Sequence, residues 1–462
     1  MSEELVAEET VDAAPPGADL PPLLIEAARR LTGRTVWHVN TTALGGGVAE
    51  LLRATVPQHH AAGVVSRWLV TRGNPEFFEL TKQLHHMLHG MPGNGRTLGM
   101  DDEQRYAATT VAQAEAMLRR VKPGDLAVLH DPQTLGLAPL LRGAGLHVIW
   151  RSHIGTHRRS PLVAAAWRFL GRYTDAVDEL VFSSPIYPPA FLAGRPVTVI
   201  HPAIDPIAAK CRPMGPDEVA SVLDAIGLQD LSAPSPALGI VTRARLLHDA
   251  PLPADAPTVV QLSRWDPLKD MLGVLRAFTE HVAPATSAHL VLAGPDPDEV
   301  ADDLENRAVL SDVAHAVAQL PKSLRRRIHL LVLSLRTRHA NALIVNALQR
   351  RATVVTQKSL EEGFGLAVTE AMHKRRPIVA GDVGGIREQM VDRRHGLLVP
   401  PHNLAAFGAA VRELLDNPAL AARLAKAGGE HCERHFLVVR EHEQYAQLFL
   451  RSYPATTTRR VP

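Results

Sequence analysis

At 462 residues the chain is too long for one ordinary core and predicts two domains or more. Its 50 basic and 48 acidic residues leave a net charge of +2, which gives no case for a nucleic-acid or membrane partner. The two cysteines, Cys211 and Cys432, lie far apart without a metal-like spacing, so a disulfide framework is not expected and a reducing cytoplasm fits.

Residues 1–20 carry Glu3, Glu4, Glu8, Glu9 and Asp12 and are expected to be a disordered acidic tail. They lack the basic residues and apolar run of a signal peptide, and no apolar stretch approaches the roughly 20 residues that span a bilayer. From there short β-branched runs alternate with helix-length segments. Residues 35–39 read as a strand, 48–62 as a helix and 66–71 as a strand; 126–129, 147–150, 179–182 and 197–200 read as further strands. A second series follows at 258–262, 289–293, 328–333, 353–357 and 377–380. Such alternation predicts an α/β protein with parallel sheets covered by helices on both faces. The expected organisation is an N-terminal Rossmann-like domain over 21–205 and a Pro/Ala-rich connection over 206–256, with a helix near 217–226. A second Rossmann-like domain over 257–430, a C-terminal helix over 431–452 and a frayed tail over 453–462 complete it.

The most informative stretch is Glu362-Gly363-Phe364-Gly365-Leu366-Ala367-Val368-Thr369-Glu370. Two carboxylates bracket a glycine turn that leads into a helix opening at Leu366. The glycines admit a ligand close to the backbone, and the helix start offers free N–H groups to an anion. Carboxylates would repel a phosphate and suit hydroxyl groups, so the pattern points to a sugar nucleotide; the plainer alternative is a capped helix after a loop. Gly45, Gly46 and Gly47 follow the first predicted strand, where a doubly wound sheet collects ligands, though they lack the dinucleotide fingerprint and equally form a tight turn. Arg264 and Lys269 follow the strand ending at Leu262 and could neutralise a diphosphate, or else pair with Asp266 or Asp270. His130-Asp131 and Arg151-Ser152-His153 also fall at strand ends, where polar groups are costly unless satisfied. His85, His86 and His89 lack the glutamate of a zinc-protease pattern and a third ligand, so no metal is expected. The basic clusters Arg325-Arg326-Arg327 and Lys374-Arg375-Arg376 read as solvated faces.

Together these residues resemble the retaining glycosyltransferases of the GT-B fold, family 4 type. Glu362 and Glu370 match that group's paired glutamates, Arg264 with Lys269 its diphosphate-binding pair, and Gly45, Gly46 and Gly47 its N-terminal glycine loop. The likeness is strongest to the glycosyl-transferring trehalose synthases and runs from about residue 36 to 449. It is carried by Val36-Trp37-His38-Val39-Asn40, Gly73-Asn74-Pro75-Glu76-Phe77-Phe78-Glu79-Leu80-Thr81-Lys82, Ile204-Asp205-Pro206 and residues 357–385. The resemblance implies two Rossmann-like domains facing across a cleft and transfer of glucose, with retention, from a nucleoside diphosphate glucose to free glucose. The product would be α,α-trehalose, and the reaction would run in either direction. It implies Arg264, Lys269 and Glu362 as catalytic residues. Gly45, Gly46, Gly47, His153, Gly363, Phe364, Gly365, Leu366 and Glu370 would bind the donor, and Glu76 and Asp131 the acceptor. Beyond the nucleotide sugar as co-substrate, no cofactor or metal is required; the partners are small molecules, and a homodimer is suggested. Two departures stand out. Gly155 occupies a position where this family places Asp, which bears on acceptor identity and turnover. His373-Lys374-Arg375-Arg376 replaces an aromatic–Lys–Gly turn and reads as surface variation. A retaining GT-B enzyme with another acceptor and a catalytically silent sugar-nucleotide binder remain alternatives; a dehydrogenase is disfavoured by the absent fingerprint.

Overall fold

The computed structural model describes residues 5–11, 13, 20–43, 47–230, 244–247, 249–300 and 305–453. They form two compact units, one built from the chain up to Ala203 together with Val438 onward, the other from Ile204–Leu437.

The first unit is a sheet of β1 (Val6–Glu9), β2 (Val36–Asn40), β3 (Ser66–Thr71), β4 (Leu126–His130), β5 (His147–Ser152), β6 (Glu179–Phe182) and β7 (Val197–Val199). Their order is β1-β3-β2-β4-β5-β6-β7, with β1 antiparallel to β3 and every other pair parallel. All residues of β2 and β4 are buried, because helices cover both faces of a parallel sheet. One face carries a core of Trp37, Val39, Leu129, Val148 and Trp150; the other packs Val36, Val128 and Ile149 against Leu24, Tyr445 and Phe449. The helix Val438–Ser452 thus returns the end of the chain to the first unit, where it joins the helix Pro22–Arg30.

The second unit has β8 (Arg245–Leu247), β9 (Thr258–Leu262), β10 (His289–Pro295), β11 (Ile328–Leu333), β12 (Val354–Gln357), β13 (Ile378–Gly381) and β14 (Leu397–Val399). Their order is β14-β13-β12-β9-β10-β11-β8, with β8 alone antiparallel. Each unit is therefore Rossmann-like, with the crossover from its first parallel strand placed near the middle of the sheet.

Four strands have the bounds read from sequence, 66–71, 179–182, 258–262 and 328–333; the others differ by one or two residues. Three elements depart from expectation. Val6–Glu9 lies in the stretch expected to be disordered, yet it adds an edge strand to β3, where Glu8 meets Arg67 at 3.4 Å and Glu9 meets Arg53 at 3.2 Å. The described part of 206–256 is no free connection: Cys211, Met214, Val222, Leu223, Ile226 and Leu252 are buried in the core of the second unit. The expected C-terminal helix is broken, one helix ending at His435 and the next beginning at Val438, and the unit boundary falls at that break.

Candidate active site

In the second unit the ends of β9 and β12 bring together residues far apart in sequence. After β9 the chain makes a short turn over Pro267–Lys269, capped by Asp266, whose Oδ1 accepts the Leu268 N–H at 2.8 Å. Asp270 follows in the left-handed region at φ 49° and caps the helix Met271–Ala277 through the Gly273 N–H at 3.0 Å. The buried Lys358 ammonium, just after β12, holds Asp270 Oδ2 and the Pro401 carbonyl, the latter at 2.8 Å. This pinned turn sets Lys269, whose Nζ donates to both oxygens of Glu362 at 2.7 and 2.6 Å, across 93 residues of chain. Glu362 Oε2 also accepts from Ser359 Oγ at 3.0 Å and from Gln357 Nε2 at 3.3 Å. Arg264 stands on the same loop, its guanidinium 3.4 Å from Asp266 Oδ2.

Beyond Glu362 the glycine turn delivers the helix Leu366–His373, with Gly365 at φ 91° as its cap, a conformation that penalises any side chain. Gln389 ties this turn down: its amide donates to the carbonyls of Phe364 and Gly365 (3.3 Å to Gly365) and its Oε1 accepts from Thr369 Oγ1 at 2.6 Å. Phe364 is buried, against Phe436. The Gly365 cap lies against Glu362, where an added Cβ would come 3.0 Å from the Glu362 Cγ, so the helix start, with the positive end of its dipole, sits beside that carboxylate.

Glu370 sits one turn along, buried, with Oε2 accepting from Gln349 Nε2 at 3.1 Å and Oε1 3.6 Å from Lys210 Nζ. Gln349 Oε1 in turn accepts from Lys374 Nζ. The reading of Lys374 as surface variation is therefore corrected: it is 4 % exposed, burial holds its ammonium below the ordinary lysine range, and it supports the residue that orients Glu370.

The first unit gathers its polar groups at the ends of β4 and β5. Asp131 follows β4 at φ 63°, a strained conformation that Asp tolerates better than most residues. Its Oδ1 accepts the His153 N–H at 2.7 Å and its carbonyl accepts Trp150 Nε1 at 2.9 Å. Desolvation raises the Asp131 carboxyl to about 7. His153 is buried and hydrogen-bonded through Nε2 to His130 Nδ1 at 2.9 Å. Burial first, and then the Arg151 charge, hold it neutral well below the usual histidine range. Glu76 is exposed on the first turn of the helix Pro75–Leu88, which packs against the Asp131–Thr134 turn. Gly47 is the exposed first residue of the helix Gly47–Ala61; Gly45 and Gly46 lie outside the described residues.

Gly155 is closed off by Tyr187: a Cβ added there would lie 2.4 Å from the Tyr187 Cγ. The ring fills the space that a side chain at 155 would take. Gly155→Ala is expected to cost roughly 1–3 kcal/mol of stability by overpacking. Urea unfolding checks this, with Tyr187→Leu losing less in the Gly155→Ala background than in the parent.

The structure thus joins Lys269, Glu362, Gly365 and Leu366 in one place, and Asp131 with His153 in another. No local pattern marked Gln357, Ser359, Gln349, Gln389 and Lys210, which orient the glutamates and the turn. His38 was also missed, though it had a signal, a polar residue inside an apolar strand.

Residues 38–189 match the family model of the trehalose synthase N-terminal domain, and residues 245–431 that of glycosyl transferases group 1. The trehalose synthase of Rubrobacter xylanophilus is 31% identical over 429 residues, 92% of this chain and 92% of that protein. The trehalose synthase of Pyrococcus horikoshii is 28% identical over 423 residues, 92% of this chain and 91% of its own. Among solved structures, a UDP-forming α,α-trehalose-phosphate synthase from Burkholderia xenovorans, in complex with glucose-6-phosphate, superposes with a TM-score of 0.68 at 14% identity, covering 91% of this chain and 100% of that one.

Proposed function

The chain belongs to the trehalose synthase family of GT-B glycosyltransferases, and from that premise we propose that it transfers glucose from a nucleoside diphosphate glucose to free glucose, giving α,α-trehalose. The observation that carries this reading is the Lys269–Glu362 pair at the mouth of the Leu366–His373 helix. A cation, a carboxylate suited to hydroxyl groups and a helix start in one place suit a sugar diphosphate.

In this reading Lys269 turns from Glu362 towards the incoming diphosphate, joined by Arg264 and by backbone amides of Gly45, Gly46 and Gly47. Glu362, with the amides of Gly363, Phe364, Gly365 and Leu366, takes hydroxyls of the glucosyl group, and Glu370 takes those of the ribose. His153 meets the donor sugar, while Asp131 and Glu76 meet the acceptor. The bond from C1 to the phosphate oxygen breaks as the acceptor hydroxyl closes on C1 from the same face. Its proton passes to the departing phosphate oxygen, so the anomeric configuration is retained. The two cations act on charge that grows in the transition state, which is where binding energy accelerates a reaction. Retention needs no covalent carboxylate here, and the diphosphate charge is met by side chains.

Nucleotide release from UDP-, ADP- and GDP-glucose, measured with and without free glucose, tests this reading. Release that requires glucose supports it; release that requires another acceptor, or none from any donor, counts against it.

Asp131 adds a pH dependence. The folded protein holds its proton up to about pH 7, whereas an unfolded aspartate releases it near 3.8. Stability fully present below that lower value therefore declines as pH rises towards about 7, and Asp131→Asn removes the slope. The ionised form is the better acceptor of hydroxyl hydrogens, so KM for glucose is expected to fall as pH rises from about 6 to 8. In Asp131→Asn this dependence is expected to vanish; initial rates across that range check it.

A further inference from the structure

Three buried histidines lie in a row across the first unit. His38 is in the middle of β2, His130 ends β4 and His153 follows β5, and these three strands are neighbours in parallel register. His38 Nδ1 is 3.2 Å from His130 Nε2, and His130 Nδ1 is 2.9 Å from His153 Nε2. The rings stack along the row, with centroids 5.5 and 5.2 Å apart and planes inclined by 29° and 18°. At each end one ring nitrogen, His153 Nδ1 and His38 Nε2, is buried with no hydrogen-bonding partner among the described residues.

Burial is the largest cause keeping all three imidazoles neutral; the enclosed Arg151 guanidinium comes next for His38 and His153, and for His130 the two flanking imidazoles precede it, while for His38 the value falls to about 3. A neutral imidazole carries one N–H and one bare nitrogen, so the two bonds must point the same way along the row. In one sense, His153 Nε2–H donates to His130 Nδ1 and His130 Nε2–H donates to His38 Nδ1, which leaves His153 Nδ1 bare. In the opposite sense His153 Nδ1 carries the proton. The first sense places the proton on Nε2 of all three rings, the intrinsically favoured tautomer of neutral imidazole; the second requires the disfavoured one three times.

We propose that His38 and His130 are positioning residues that lock His153 in the Nε2–H tautomer, so that its Nδ1 is an acceptor only and the site selects a sugar bearing a free hydroxyl, a hydrogen donor, at the position it meets. This rests on the reading that His153 faces the donor sugar. It adds a rule of selection: fluorine at that position, which accepts but cannot donate, is no substitute for the hydroxyl.

The test has two arms. In protein labelled with nitrogen-15 at histidine, His153 is assigned from the signals lost in His153→Asn. The expected spectrum has His153 Nε2 protonated and Nδ1 bare, and His130→Phe is expected to let the two tautomers mix. A protonated Nδ1 in the parent protein overturns the proposal, whatever reaction the enzyme catalyses and even if His130→Phe fails to fold. In the second arm, nucleotide glucoses with the 3-, 4- or 6-hydroxyl replaced by hydrogen or by fluorine are compared. At one position both replacements are expected to lower kcat/KM by roughly tenfold, the worth of one hydrogen bond to a buried group, and to the same extent. A fluoro analogue clearly better than its deoxy counterpart at every position contradicts the acceptor-only atom. Failure to process any nucleotide glucose sinks the functional reading instead, and the tautomer result stands apart from it.

Discussion

Lys269→Ala is expected to lower kcat by roughly 10²–10³ while leaving the protein folded. In the proposed reaction the Lys269 ammonium would follow negative charge onto the departing diphosphate, a charge that would be complete only late in the transfer. Its loss should therefore appear in kcat more than in KM. The fold should survive because Glu362 keeps Ser359 Oγ at 3.0 Å and Gln357 Nε2 at 3.3 Å after the lysine is gone. Circular dichroism of the variant guards against a trivial loss. Steady-state rates with saturating nucleotide glucose and glucose give the split. A raised KM with unchanged kcat would mean that Lys269 binds the ground state and transition state alike, and its catalytic role would fall.

The second large effect lies at the C-terminal helix of the first unit. Arg151 and Glu441 are each about 1% exposed and pair at 2.8 Å, with Arg151 also bonded to Tyr445 Oη. Burial lowers the Arg151 pKa, but Tyr445 and Glu441 outweigh it, so the guanidinium stays charged. Removing one partner of such a pair strands a buried charge, at a cost of about 3–5 kcal/mol. Glu441→Ala should fall towards the lower end, since Tyr445 and the Ile200 carbonyl at 3.4 Å remain. Thermal unfolding should show a melting temperature lower by roughly 10 °C. The double variant Arg151→Met/Glu441→Ala should lose less than Glu441→Ala alone, because no charge is then left behind. A single variant as stable as the parent would mean that water reaches the pair and that the helix is held by apolar packing alone.

Much of the fold was legible because its strands are β-branched runs buried on both faces; β9, Thr-Val-Val-Gln-Leu, could hardly read otherwise. What escaped were edge strands. Val6–Glu9 is acidic and short, and its place follows from arginines on β3 and on the helix Gly47–Ala61 that no local pattern announces. Arg245–Leu247 is three residues long and lies largely exposed. The glutamate pair was legible because Gly363 and Gly365 set its spacing, and the helix opens at Leu366 as that spacing requires. The contact of Lys269 with Glu362 was not, since nothing local links residues 93 apart. Lys374 misled because a basic run usually faces water; only the approach of Gln349 shows why this one lysine turns inward.

Transfer of glucose to glucose is tested by the carbon-13 NMR spectrum of the product formed from nucleoside diphosphate glucose and glucose labelled at C1. The expected product is a non-reducing disaccharide whose two anomeric carbons are both α-linked, formed roughly 10²–10³ more slowly by Lys269→Ala. A reducing disaccharide, a β-linked carbon or a sugar phosphate would contradict it.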